Sequence, residues 1–200
     1  MEYNSMDDVK LYECFPTMIY EFKSNLSDED HDLMLKYLTS SNNFHQKEND
    51  LQILSYFKPL KDKILEVSKY ILKNNRYSFE RIEITNMWAN KMEDDETHAP
   101  HTHSNNFLSG VYYLNASKDT APIQFFDPRP QASVLVPRKT PNWHNSNMIQ
   151  FDSVIGIGLI FPSWLQHWVP QNKDDRISIS WNVFVRGDYG EPDTLQNAYI

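Results

Sequence analysis

The spacing of apolar residues divides the chain into an early helical part and a later part of short strands. Phe15 to Phe22 (F-P-T-M-I-Y-E-F) is rich in strand formers and predicts a first strand. Ser27 then opens S-D-E-D, with an acidic residue three places on, and Leu33, Met34, Tyr37 and Leu38 recur at helical spacing. A capped helix over about residues 28 to 39 follows. The polar run 39 to 50 predicts a loop, and Pro59 fits the first turn of a second helix. Along that helix Leu60, Ile64, Val67, Tyr70 and Ile71 make one stripe, which reads as core.

From Phe79 the period changes from helical to alternating, and Ile82, Ile84 and Trp88 mark a strand. After the charged link 91 to 97 come strand candidates at Leu108–Asn115, Ile123–Phe126, Ala132–Val136, Ile157–Phe161 and Arg176–Arg186, separated by Pro- and Asn-rich turns. Helices followed by many short strands predict a mostly β chain, a sheet-on-sheet sandwich with helices packed on one outer face. Residues 187 to 200 show no periodicity and are expected on the surface, partly frayed.

Length and composition narrow the class. Two hundred residues, 40% hydrophobic, suit a single domain with a real core. Within it, 1–78 would be a helical support region, 79–186 the β core and 187–200 a tail. A net charge of -8 disfavours a phosphate backbone, so nucleic acid is not expected as a partner. The longest apolar run, Val154–Phe161, is far below the roughly 20 residues of a membrane span. The acidic N-terminus does not read as a signal peptide. A lone Cys14, expected as a small packed hydrophobe, agrees with a reducing, cytoplasmic setting. Exposed sheet edges would permit a homodimer.

The chemistry concentrates at P-H-T-H-S-N-N-F-L-S-G-V-Y-Y-L-N, residues 100 to 115. In an extended chain His101 and His103 share a face, and two neutral imidazoles on one face can chelate a divalent metal. A further ligand must come from elsewhere. His167, in G-L-I-F-P-S-W-L-Q-H-W-V-P, is the candidate, against the plainer reading of a half-buried histidine bonded to a carbonyl. Nine residues later Arg176 opens R-I-S-I-S-W-N-V, where Arg176, Ser178, Ser180 and Asn182 share one face and Ile177, Ile179, Trp181 and Val183 the other. The polar row either faces water or lines a cavity. In a cavity, a guanidinium beside hydroxyls suits a carboxylate, bound through two parallel hydrogen bonds.

Taken together, His-x-His, S-G-V-Y-Y-L-N, I-Q-F-F-D-P-R, F-P-S-W-L-x-H and R-I-S-I-S-W-N resemble the Fe(II)/2-oxoglutarate-dependent oxygenase superfamily, in particular its small marine bacterial and phage branch, over roughly residues 80 to 186. The resemblance implies a double-stranded β-helix (jelly roll) with iron at one open end. It also implies oxidative decarboxylation of 2-oxoglutarate with O2, giving succinate and CO2 and hydroxylating a carbon of a protein residue or small metabolite. His101 takes the place of the first ligand, His167 that of the last, and Arg176 with Ser178 that of the salt-bridging Arg-x-Ser. Y-Y-L-N resembles the prolyl hydroxylases and gives Tyr113 a hydrogen bond to the 2-oxoglutarate carboxylate; Asn182, on the same face as Arg176, joins the co-substrate candidates.

His103 stands where the common pattern has a carboxylate; it is kept as the third ligand, with His98 and Asp127 as rivals. Arg129 could reach the site mouth or form a surface salt bridge. The loop 137 to 147, with His144, could be a lid or a plain connector, and Phe161, Trp164 and Trp168 are expected to exclude water. Neither His31 nor His45 is assigned a role. A three-His cupin-type dioxygenase without 2-oxoglutarate and a jelly-roll binding protein remain the alternatives.

Overall fold

The computed structural model describes residues 9–44, 50–129, 131 and 134–200; His45 lies outside them. The alternation of polar and apolar residues becomes two antiparallel sheets packed face to face. The larger has the order β1 (Tyr20–Lys23), β7 (Ile157–Pro162), β4 (Leu108–Asn115), β9 (Arg176–Arg186), β2 (Arg81–Met92). The smaller has the order β3 (His98–His101), β8 (His167–Val169), β5 (Ile123–Phe126), β6 (Met148–Phe151). Helices α1 (Asp28–Ser41) and α2 (Lys58–Asn74) cover the outer face of the larger sheet.

The period of two explains why each strand of the larger sheet serves two cores. Tyr112, Leu114, Ile160, Ile177, Ile179, Trp181 and Val183 pack against Met34, Leu38, Leu60, Ile64 and Ile71 of the helices. Their neighbours Val111, Tyr113, Leu159 and Phe161 point the other way and meet Ile123, Phe125 and Leu165 between the sheets. Gly110 is needed where neighbouring strands of the larger sheet crowd it: a Cβ there would come within 2.2 Å of the Trp181 ring on β9 and 2.6 Å of the Leu159 carbonyl on β7.

Most of the expected elements are present. Ser27 caps α1, accepting from the Asp30 amide at 3.1 Å, and Pro59 lies in the first turn of α2. Several details differ. The first strand is Tyr20–Lys23, leaving Phe15 exposed, because only the stretch paired with β7 is held extended. On α2, Tyr70 turns to solvent, and Ser68 and Leu72 are buried with Leu60, Ile64 and Ile71. Of the expected strand Ala132–Val136, Ala132 and Ser133 lie outside the described residues; Val134 and Leu135 form a bend with exposed side chains. Cys14 is exposed rather than packed. The C-terminal stretch forms a small ribbon, β10 (Asp188–Tyr189) with β11 (Ala198–Tyr199), closed by Ile200 and Gly187 main-chain hydrogen bonds. Among the described residues no helix is long and apolar enough to cross a membrane.

Candidate metal and co-substrate centre

Three imidazoles converge where the edge of the smaller sheet meets the larger one. His101 ends β3 and lies directly across from His167, the first residue of β8. Pro100 has no N–H to give the ladder, and β3 departs from regular pairing between His98 and His101, as an edge strand can tolerate. His103 lies beyond β3, its main-chain N–H donating to the Ser163 carbonyl at 2.9 Å. Ring centroids are 4.4 Å apart for His101 and His167, 5.1 Å for His103 and His167, and 5.2 Å for His101 and His103.

Each ring is held through Nδ1. His101 Nδ1 faces the Ala99 carbonyl at 2.8 Å, His167 Nδ1 the Leu165 carbonyl at 2.9 Å, and His103 Nδ1 the Asn182 amide oxygen at 2.6 Å. A carbonyl oxygen can only accept, so every Nδ1 carries the proton and every Nε2 presents a lone pair. The His103 Nε2 is buried without a hydrogen-bond partner. One ligand atom from each ring lies within 4.8 Å of the others. At the roughly 2.1 Å typical of an imidazole–metal bond, three nitrogens sharing one ion lie about 3.0–3.6 Å apart, so a pair at the 4.8 Å limit would close by roughly 1–2 Å through small ring movements. The donor set therefore fits a divalent metal ion.

Burial keeps the His167 and His103 rings neutral. His167 is 4% exposed, and desolvation lowers its pKa to about 3, more than its bond to the Leu165 carbonyl can offset. Desolvation lowers that of His103 as well. Neutral imidazole is the metal-binding form. His101 is exposed and marks the side open to solvent.

A cavity of about 460 Å³ runs inward from the three rings to Arg176, lined also by Trp88, Asn90, Val111, Ile123, Phe161, Val169, Ser178 and Ser180. Arg176 is 1% exposed. Its Nε donates to Ser153 Oγ at 3.1 Å and its Nη1 to Ser178 Oγ at 3.1 Å, and its guanidinium lies 5.0 Å from the centre of the Tyr113 ring. Among the described residues no carboxylate pairs with it. The Tyr113 hydroxyl beside it is buried and makes no hydrogen bond of ordinary geometry, and burial pushes its pKa up. A buried cation without an anion costs several kcal/mol. An entering carboxylate would offset that cost and give the tyrosine hydroxyl an acceptor.

The structure thus brings together His101, His103, His167, Arg176, Ser178 and Tyr113. Asn182, expected to touch the co-substrate, instead lines the adjoining groove, its side chain engaged with His103, Ser109 and Asn86. His98 lines the cavity without joining the three-nitrogen cluster. Asp127 pairs with Arg129 at 3.0 Å on a separate apolar cavity between residues 11–19 and the β5–β6 hairpin. His144 and Trp143, of the loop 137 to 147, line that cavity too. Phe161 encloses the site, 4.8 Å from the His167 ring, whereas Trp164 is exposed and Trp168 alternates onto the other face of β8. Sequence reasoning missed Ser153, which no spacing marked, and Trp88, stacked 5.8 Å from His103.

The family model described as "Putative 2OG-Fe(II) oxygenase" matches residues 86–182, which include all three histidines and Arg176. The matched stretch, just under half of the chain, belongs to the 2OG-Fe(II) oxygenases. The protein is a 2-oxoglutarate-dependent dioxygenase, and its cofactor set is Fe(II), 2-oxoglutarate and O2. Solved structures share the double-stranded β-helix. A Pseudomonas putida prolyl-4-hydroxylase aligns with a TM-score of 0.61 at 11% identity, over 86% of this chain and 89% of that one. HygX from Streptomyces hygroscopicus, with nickel and 2-oxoglutarate bound, aligns at 0.60 and 9%, over 84% and 82%. A Trichoplax adhaerens prolyl hydroxylase in complex with a hypoxia inducible factor peptide aligns at 0.59 and 13%, over 83% of each chain. A search of curated proteins finds no match.

Proposed function

We propose that His101, His103 and His167 hold the Fe(II) of this oxygenase, and that Arg176, Ser178 and Tyr113 hold the far carboxylate of 2-oxoglutarate. The observation that carries the reading is a fully buried guanidinium with no carboxylate partner among the described residues, at the inner end of a cavity whose outer end is three lone pairs. With Fe(II), 2-oxoglutarate and O2 bound, the centre supplies oxidative decarboxylation to succinate and CO2, coupled to oxidation of a substrate carbon. The chain's residues do the rest. Arg176 and Ser178 orient the co-substrate by a charge-assisted fork, Tyr113 donates to it, and Phe161, Val111 and Ile123 keep water out. Three neutral imidazoles leave the ion's double charge to be balanced by the co-substrate dianion, which strengthens the dependence on Arg176.

For the substrate, we propose a prolyl or similar side chain of a protein, supported by Y-Y-L-N at 112–115 and by the fold shared with prolyl hydroxylases. A small metabolite is the second candidate; the open side at His101 can admit either. The test is an anaerobic titration of metal-free protein with Fe(II) and 2-oxoglutarate. A visible metal-to-ligand charge-transfer band is expected in the wild type and in Ser104→Ala, and should be absent in His167→Ala. A band that persists in His167→Ala would sink the ligand assignment.

A further inference from the structure

The three rings are not oriented alike. His101 and His167 direct Nδ1 to main-chain carbonyls, which no substitution removes, whereas His103 directs Nδ1 to a side chain, Asn182. Asn182 is 4% exposed and sits on β9 between its two cross-strand partners, Ser109 on β4 and Asn86 on β2. Both partners fix its amide. Ser109 Oγ donates to Asn182 Oδ1 at 2.7 Å, and Asn182 Nδ2 donates to Asn86 Oδ1 at 2.8 Å. With the oxygen so turned, His103 must present Nδ1–H to it. Ser109 Oγ also lies 2.8 Å from Ser163 Oγ, and the Ser163 carbonyl accepts the His103 main-chain N–H, so the ring and backbone of His103 are tied to one closed network.

We propose that Asn182 is a positioning residue of the metal centre: its amide oxygen, locked by Ser109 and Asn86, sets the tautomer and rotation of His103 so that Nε2 faces the ion. This rests on the reading that His103 is a ligand. A hydrogen-bonded acceptor behind a metal-bound histidine is worth about 10–100-fold in metal affinity. Here the acceptor is a neutral amide, so His103 is oriented without adding negative charge to the centre.

The test has a readout that needs no turnover. Nitrogen-15 NMR of histidine-labelled, metal-free protein should show His103 protonated at Nδ1, and a wild-type ring protonated at Nε2 would overturn the inference. In Asn182→Leu the tautomer preference should be lost and Co(II) affinity should fall about 10–100-fold, with an altered visible Co(II) spectrum. Asn182→Asp, which keeps an acceptor, should restore the Nδ1–H form and most of the affinity. If Asn182→Leu does not fold, Ser109→Ala frees the amide while Asn182 remains, and His103 should then populate both tautomers. Tight Co(II) binding with an unchanged spectrum in Asn182→Leu, alongside lost binding in His103→Ala, would reject Asn182 as a positioning residue and leave the ligand reading standing. Wild-type Co(II) binding in His103→Ala would reject the ligand reading itself.

Discussion

The two faces of β9 are one residue apart in sequence and opposite in physics. Ile177, Ile179, Trp181 and Val183 fill the layer beneath the helices, where stability comes from apolar burial and close packing. Arg176, Ser178 and Asn182 are as deeply buried on the other side, yet they are polar, and Arg176 lacks an ionic partner among the described residues. The first face holds the protein together. The second stores an unfavourable arrangement that a ligand relieves, so the two faces should respond to substitution with opposite signs.

The largest effect is expected on the packed face. Trp181→Ala should cost about 3–5 kcal/mol by denaturant melts, because the ring is wholly buried against Gly110 and Phe22. Its surviving folded fraction should still bind 2-oxoglutarate. Equal damage to binding in folded protein would mean that the faces are not separable.

On the cavity face, Arg176→Met should do the reverse. Removing a buried charge in favour of an apolar chain of similar reach should leave the metal-free protein as stable or raise its Tm. It should also weaken 2-oxoglutarate at least about 100-fold, in line with losing a charged hydrogen-bond pair of roughly 3 kcal/mol. A lower Tm with unchanged affinity would make Arg176 a structural residue.

A pH series separates the rings. The pKa of His167 in the folded chain, about 3, lies below the ordinary value of 6.5, so folding favours its neutral form. That contribution is fully present above pH 6.5 and is lost as pH falls toward 3, because the unfolded chain takes up the proton first. Metal-free wild type should therefore lose about 1–2 kcal/mol more than His167→Gln between pH 7 and 5, measured by urea melts. Parallel curves would show that His167 is not held neutral.

The smallest effect is expected from Tyr113→Phe. The hydroxyl makes no hydrogen bond of ordinary geometry before a ligand arrives, so melts should change little or improve slightly, while 2-oxoglutarate binding weakens about 3–10-fold. A clear loss of stability would place a partner on the hydroxyl in the metal-free state.

Strands that carry a full alternating pattern were legible from sequence: Leu108–Asn115 and Arg176–Arg186 have the expected bounds, as does the short Ile123–Phe126, which Pro122 and Pro128 bracket. Those of β3, β6 and β8 were not, since three or four residues give periodicity too little length, and they are extended only because a neighbour pairs with them. At the site, Arg176 and the histidines could be singled out because their residue types and order are unusual. Ser153 could not, because a serine in the β6–β7 link looks like any turn serine until Arg176 Nε is seen donating to it.

Local chemistry along the chain determined the available ligands and the parity of the strands: which imidazoles exist, and that Arg176, Ser178 and Asn182 must share a face. Whether that face met water or a cavity was decided only by the second sheet, which closes over it and removes solvent from Arg176. The fate of Asn182 was decided the same way. Its parity with Arg176 suggested a shared ligand, but six residues of twisted strand carry it past the cavity into the adjoining groove, hydrogen-bonded to His103.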